Sequence, residues 1–215
     1  MNSFYITTPI YYVNDKPHIG HAYTTISCDI LSRFNKLQGN EVYFLTGTDE
    51  HGQKVEKAAL TANLEPQDFV NKMSKNFKDL IPFLNCHIND FIRTTEKRHV
   101  ITAQAFWQKL LDNNQIYLSN YEGWYSIRDE AFYTENELTK KNDTYYAPSG
   151  AKVEWVKEES YFFKLSAWED QLIEFYEKNK ESIMPKSRYN EVVSFIKGGL
   201  KDLSISRTTF KWGIK

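Results

Sequence analysis

Two short apolar runs with a helical stretch between them do most to restrict how this chain folds. "SFYITTP", Ser3 to Pro9, is rich in β-branched and aromatic residues and is stopped by proline, the marks of a strand. "EVYFLTG", Glu41 to Gly47, is largely apolar, as a strand covered on both faces is. Between them Ala22, Ile26, Ile30 and Phe34 follow His18 at a spacing of four, the period of one helix face. Gly39-Asn40 supplies a C-terminal stop. Strand, helix and strand make a βαβ unit, whose crossover is right-handed in nearly all cases. Its ligand edge lies at the carboxyl ends of the strands, and "GTDEHGQ" stands there.

The spacing predicts helices over Gln53–Ala62 and after Pro66, a third strand in "NDFIRTT", and a long helix over Lys97–Asn113. Val100, Ala103, Phe106, Trp107 and Leu110 share one side of that long helix. The texture then changes. "QIYLSNYEGWYSIRDEAFYTENEL" is dense in Tyr, Trp and Phe and reads as short antiparallel strands, broken at Asn-Tyr and Glu-Gly turns. Helices return near 166–180 and 186–199. The expected fold class is α/β: the first half of a Rossmann-like nucleotide-binding fold with a small inserted β-rich module. The expected division is 1–115 for the nucleotide-binding part, 116–165 for the module, and 166–215 for a helical segment returning to the sheet.

A hydrophobic fraction of 41% over 215 residues supports a packed core. The net charge of -1 gives no whole-chain basic field for nucleic acid, so any such contact needs a local patch. Cys28 and Cys86 form no disulfide framework, which suits a reducing compartment. No run approaches the ~18 apolar residues of a membrane span, and the first residues lack the profile of a secretory signal. A cytoplasmic globular protein with no membrane partner is expected.

His18 and His21 stand at the start of the first helix with Gly20 between them. The unpaired N–H groups and positive dipole end of such a start favour an anion, most often phosphate. Glycine lets a ligand approach the backbone, and imidazoles can donate to phosphate oxygens as charge builds on them. There is no GxxxxGK[ST] loop. The residues alone leave two readings open: a capped surface helix, or a phosphate cradle.

"His18-Ile19-Gly20-His21" reads HIGH and resembles the signature of class I aminoacyl-tRNA synthetases. "TTPIYYVNDKPHIGHAYTTISCDILSRF", "YFLTGTDEHGQKV", "DFIRTTEKRH", "YEGWYS", "EESYFFKLS" and "SISRTTFKWGI", in that order, resemble the methionyl members of that family. The resemblance implies ATP-dependent activation of L-methionine to methionyl-adenylate, then transfer to tRNA(Met), with ATP used as its Mg2+ complex. By similarity His18 and His21 serve the ATP phosphates and are the catalytic pair. Gly20 admits the nucleotide closely, and Asn14 helps hold it. Ile10 and Tyr12 line the thioether pocket, where soft apolar contacts suit sulfur. Asp49 takes the α-ammonium, with Glu50 as the alternative carboxylate. His51 and Glu50 are expected to support the contact residues from behind.

Three features need separate treatment. Lys72-Met73-Ser74-Lys75 copies most of the second class I signature, KMSKS. Phe69, Met73 and Phe77 at spacing four make it an ordinary amphipathic helix instead, with the lysines on its flanks. The family's inserted module often holds zinc through CxxC pairs. Ser126 and Asp129 occupy the first pair's places, no cysteine lies near "APSG", and zinc is not expected. Trp124, Tyr125, Phe132, Tyr145 and Trp155 are expected to hold the module instead. Finally, family chains continue into a second half of the nucleotide fold and a helical anticodon-reading domain. This chain alone is therefore expected to be an inactive piece of a longer enzyme. Two alternatives remain: another class I synthetase or HIGH-type nucleotidyltransferase, or a non-catalytic tRNA-binding fragment using "EKRH", "KSR" and exposed aromatics.

Overall fold

The structure, a computed structural model, describes residues 2–129, 131–208 and 210–215, without the side chains of Tyr121 and Glu158. Those four positions of the quoted motifs, Tyr121, Glu130, Glu158 and Thr209, thus lie wholly or partly outside the described residues. The chain forms two compact units, residues 1–105 with 210–215, and residues 106–209.

The first unit holds β1 (Ser3–Thr7), β2 (Tyr11–Tyr12), α1 (Ile19–Leu37), β3 (Glu41–Asp49), α2 (Gln53–Thr61), α3 (Pro66–Phe83) and β4 (Asp90–Arg93). β3 is the central strand. It pairs in parallel with β1 along Glu41–Leu45, with β2 at Thr48–Asp49, and with β4 along Leu45–Thr48. β4 can lie this close because Gly47 has no side chain: a Cβ there would meet the Ile92 carbonyl oxygen at 2.0 Å. Both crossovers, β1 to β3 and β3 to β4, step the same way across the sheet, so their helices share one face. His21 of α1 accordingly meets Phe77 of α3, ring centroids 5.1 Å apart.

α1 departs from the expected burial. Ile26, Ile30 and Phe34, read as its packing face, are exposed. Its buried residues are Thr25, Asp29 and Ser32. The reason is a polar seam. Thr25 Oγ1 bonds the Tyr11 hydroxyl at 2.8 Å, and Asp29 accepts from the His87 amide at 2.8 Å and from Arg33 Nε at 2.6 Å. Arg33 also donates to the Asn85 carbonyl. This seam ties α1 to the turn before β4, so the helix turns its hydrogen-bonding side inward. The apolar core lies elsewhere, in Tyr11, Val13, Val55, Ala59, Phe69, Val70 and Phe77.

α4 (Lys97–Asp112) leads into the second unit. This unit contains β5 (Ile116–Ser126), β6 (Ala131–Tyr133), β7 (Thr139–Lys141), β8 (Thr144–Tyr146), β9 (Glu154–Phe163), α5 (Glu169–Lys178), α6 (Lys186–Lys197) and β10 (Leu203–Ser204). Its main sheet has the order β10-β9-β5-β6, all antiparallel, and β7-β8 form a hairpin turning at left-handed Asn142 and Asp143. The expected breaks at Asn120-Tyr121 and Glu122-Gly123 do not occur. β5 runs through them, paired with β9 from Ile116 to Tyr125, and this continuous ladder overrides local turn preference. The return of the chain as β10 carries no strong strand signal in the sequence.

Candidate active site

The first helix opens on a reciprocal cap made by its two histidines. His18 is the N-cap, and its Nδ1 accepts from the Gly20 amide at 3.1 Å. His21 reaches back, and its Nδ1 accepts from the His18 amide at 3.0 Å. The two rings stack at 3.9 Å. A neutral imidazole that accepts at Nδ1 carries its proton on Nε2, so this network assigns both rings an Nε2–H donor. Gly20 has a second role here, since a Cβ would come within 2.9 Å of the His18 ring.

This corrects the expected source of anion binding. The Gly20 amide is taken by His18, and the His21 and Ala22 amides point to the His18 carbonyl. The helix start therefore presents imidazole Nε2–H groups more than free backbone amides. Burial, with the neighbouring His18 second, holds His21 below the ordinary imidazole pKa. It is thus a neutral donor near pH 7.

The other half of the site forms at the carboxyl edge of the sheet. β2 brings Tyr12 opposite Asp49 in register. Tyr11, its neighbour on β2, faces the other side of the sheet, where its ring meets His21 edge-on at 4.8 Å. Two consecutive tyrosines thus link the carboxylate edge to the histidine cap. Lys54 Nζ lies 5.6 Å from the centre of the Tyr12 ring. Ile10, just before β2, and Asn14, in the loop after it, are both exposed.

Glu50 does not compete with Asp49 for a ligand. It is fully buried, and its carboxylate is occupied by Arg93 Nε and Nη2 at 2.7 and 2.9 Å, Thr95 Oγ1 at 2.6 Å and Thr48 Oγ1 at 2.6 Å. The Thr94 hydroxyl accepts from the Glu50 amide at 2.9 Å. From the far end of the chain, Trp212 Nε1 donates to the Glu50 carbonyl at 2.5 Å, and the Trp212 carbonyl accepts from the Gly52 amide at 3.1 Å. His51 lies 5.4 Å from the Trp212 ring, and burial pushes its pKa down against the opposing pull of Glu50. The loop after Asp49 is therefore fastened from β4 and from residue 212. Arg93, Thr95 and Trp212 are supports of this loop that sequence reading did not single out. The available signal was an arginine at the end of a short apolar strand, which needs a buried anion nearby.

Lys72-Met73-Ser74-Lys75 lies within α3, far from a helix start. Met73 packs on the core beside buried Phe69 and Phe77, and Lys75 pairs with Asp79. In the second unit, Asp129 accepts from Ser126 Oγ at 3.0 Å, Tyr133 at 3.1 Å, Arg128 Nε at 3.2 Å and Ser149. The Ser149 bond is the main cause holding its pKa at about 2. Asp129 is thus saturated by hydroxyls and one guanidinium, and among the described residues no group of three or more His, Cys, Asp or Glu that could hold a metal ion is found. Trp124 and Tyr145 pack on a small core of Ala147, Ala151 and Val153, and Tyr125 meets Phe132. Trp155 touches Trp124 but stays exposed. The two arginines of the quoted basic stretches are paired, Arg98 with Asp90 and Glu96, Arg188 with Glu191. Among the described residues no helix is long and apolar enough to cross a membrane.

Comparison with known proteins agrees with this geometry. The family model described as tRNA synthetases class I (M) matches residues 4–215. A methionine–tRNA ligase of Rickettsia typhi is 62% identical over 214 residues, covering 100% of this chain and 42% of that protein. One from Rhizobium meliloti is 54% identical, covering 99% of this chain and 41% of its own length. The Mycobacterium tuberculosis methionyl-tRNA synthetase, solved with methionyl-adenylate, matches with a TM-score of 0.96 at 44% identity, over 100% of this chain and 42% of that one. This chain thus spans well under half the length of these relatives. From the histidine cap, the β3 edge and these matches together, the chain belongs to the class I tRNA synthetases, in their methionyl group.

Proposed function

We propose that this chain provides the ATP- and methionine-holding half of a methionine–tRNA ligase. The observation that carries the reading is the register of β2, which sets Tyr12 against Asp49 while Tyr11 rests on His21. Asp49 takes the α-ammonium, Ile10 and Tyr12 the thioether side chain, and Asn14, His18, Gly20 and His21 the nucleotide. The methionine carboxylate attacks the α-phosphorus. A carboxylate-to-phosphorus bond forms, the α–β bridging bond breaks, and its electron pair leaves with pyrophosphate. The nucleophile is already ionised, so no base is required. The contribution of this chain is alignment, with Nε2–H donors of His18 and His21 aimed where phosphate charge grows.

Mg2+ would enter with ATP and neutralise charge on its phosphate oxygens. The methionyl group is then passed to tRNA(Met) in the cytoplasm. The test is a chimaera of this chain with the unmatched remainder of the Rickettsia typhi relative, assayed by ATP–pyrophosphate exchange with each of the twenty amino acids. Exchange dependent on methionine is expected. Exchange supported best by another amino acid would show a different class I specificity.

A further inference from the structure

One tryptophan reaches the amino-acid edge of the sheet from the far end of the chain. Residues 210–215 follow the whole second unit in sequence, yet they belong to the first. Trp212 packs against the apolar core of that unit. Its Nε1 donates to the Glu50 carbonyl at 2.5 Å, and its own carbonyl accepts from the Gly52 amide at 3.1 Å. The ring of His51, the residue between, lies 5.4 Å from the indole. The side chain and main chain of one residue thus close on Glu50, His51 and Gly52, which directly follow Asp49. The Lys211 amide donates to the Glu56 carboxylate at 3.3 Å, and Gln104 Nε2 donates to the Lys215 carbonyl at 2.7 Å, anchoring the segment on either side.

Local structure does not supply this hold. Gly52 stands at a φ of 109°, a state that glycine permits and does not enforce. As the N-cap of α2 it has no side chain with which to fix the helix start. The strands secure the peptide between Asp49 and Glu50: the Asp49 carbonyl accepts from the Val13 amide at 3.4 Å, and the Glu50 amide donates to Thr94 Oγ1 at 2.9 Å. Past that peptide the Glu50 carbonyl and the Gly52 amide both bond to Trp212. A binding side chain at the end of a strand is placed only as well as the backbone that carries it is supported.

We propose that Trp212 is a positioning residue for the amino-acid substrate: its clasp on Glu50 and Gly52 sets the direction in which Asp49 presents its carboxylate to the α-ammonium. The inference rests on the assignment of that ammonium to Asp49 above. It makes the amino-acid half of the site complete only after the chain has passed through the second unit and returned. The clasp acts on amino-acid affinity, because a charged hydrogen bond depends on the geometry of both partners. The histidine cap at the start of α1 is held by its own reciprocal bonds, so the nucleotide contacts do not depend on Trp212.

A double-substitution cycle in the chimaera described above tests it, read by ATP–pyrophosphate exchange. Trp212→Phe keeps an aromatic ring and removes the Nε1–H. It is expected to raise the methionine KM roughly 3- to 10-fold and to leave the ATP KM unchanged. Added to Asp49→Asn, it is expected to raise the methionine KM by less than about twofold more, since a clasp that works through Asp49 then has no carboxylate to aim. Fully multiplicative effects of the two substitutions overturn the proposal, as does an equal rise in both KM values or a rise in neither. If Trp212→Phe does not fold, 3-benzothienylalanine at position 212, which puts sulfur in place of the N–H in the same ring frame, gives the same reading. In the chain alone, Trp212→Phe is expected to speed hydrogen exchange of the Gly52 amide about 10-fold or more, and an unchanged rate overturns the clasp. An unsubstituted chimaera with no methionine-dependent exchange contradicts the functional reading instead, and the Gly52 amide then still decides whether Trp212 holds the loop.

Discussion

At the scale of single residues the site depends on who occupies whom. Gly20 leaves room for the His18 ring that caps α1. Gly20→Ala is expected to displace that ring, costing about 1 kcal/mol of stability with the cap and more in nucleotide binding; thermal melts and ATP titrations of the chimaera read the two separately. His21 accepts at Nδ1, so protonation there breaks its bond from the His18 amide. Its folded pKa lies below the unfolded value near 6.5, so the unfolded chain binds the proton first. Stability from this group is therefore full above the unfolded value and falls as pH drops below it. Proton NMR should show the His21 ring titrating below 6.5, and His21→Asn should flatten that part of the stability profile. An ordinary or raised value would contradict the cap. Buried Glu50 and half-buried Arg93 form a bidentate pair, so Arg93→Ala, which leaves the carboxylate only its threonine hydroxyls, should cost about 3 kcal/mol in urea unfolding. The proposed contact residues were legible from the HIGH and TDEHG stretches. The occupation of Glu50 was not, because its partners Arg93 and Thr95 lie more than forty residues away along the chain.

At the scale of elements, periodicity located α1 but assigned its faces the wrong way round. The inward side is Thr25, Asp29 and Ser32 because a hydrogen-bonded seam awaits them at His87 and Tyr11, and a pattern of apolar residues carries no record of polar partners. β5 was expected as short pieces since Asn-Tyr and Glu-Gly pairs favour turns, and only the matching strand β9, forty residues on, makes it continuous. Gly47 shows the reverse case, a glycine inside a strand whose need is tertiary. Gly47→Ala drives a Cβ into the Ile92 backbone oxygen, which cannot rotate away. The expected result is a loss of about 3 kcal/mol together with faster hydrogen exchange at Phe91–Arg93. A neutral outcome would mean that β3 and β4 pair differently.

At the scale of the whole molecule, the chain carries one winding of a parallel sheet, a β-rich unit fastened by Asp129, and the residues proposed to meet two substrates. Asp129 is held at about 2 by its hydrogen bonds, so its contribution is present above the ordinary carboxylate range and lost as pH falls through that value. The division of labour between His21 and Asp49 is the central claim, and the kinetics of the chimaera address it most directly. ATP–pyrophosphate exchange is measured with methionine and ATP varied independently. Asp49→Asn should raise the methionine KM roughly 10- to 100-fold and leave that for ATP unchanged. His21→Ala should lower kcat about 100- to 1,000-fold with little change in the methionine KM. Equal effects of both substitutions on both substrates, or an undiminished rate in His21→Ala, would contradict the account.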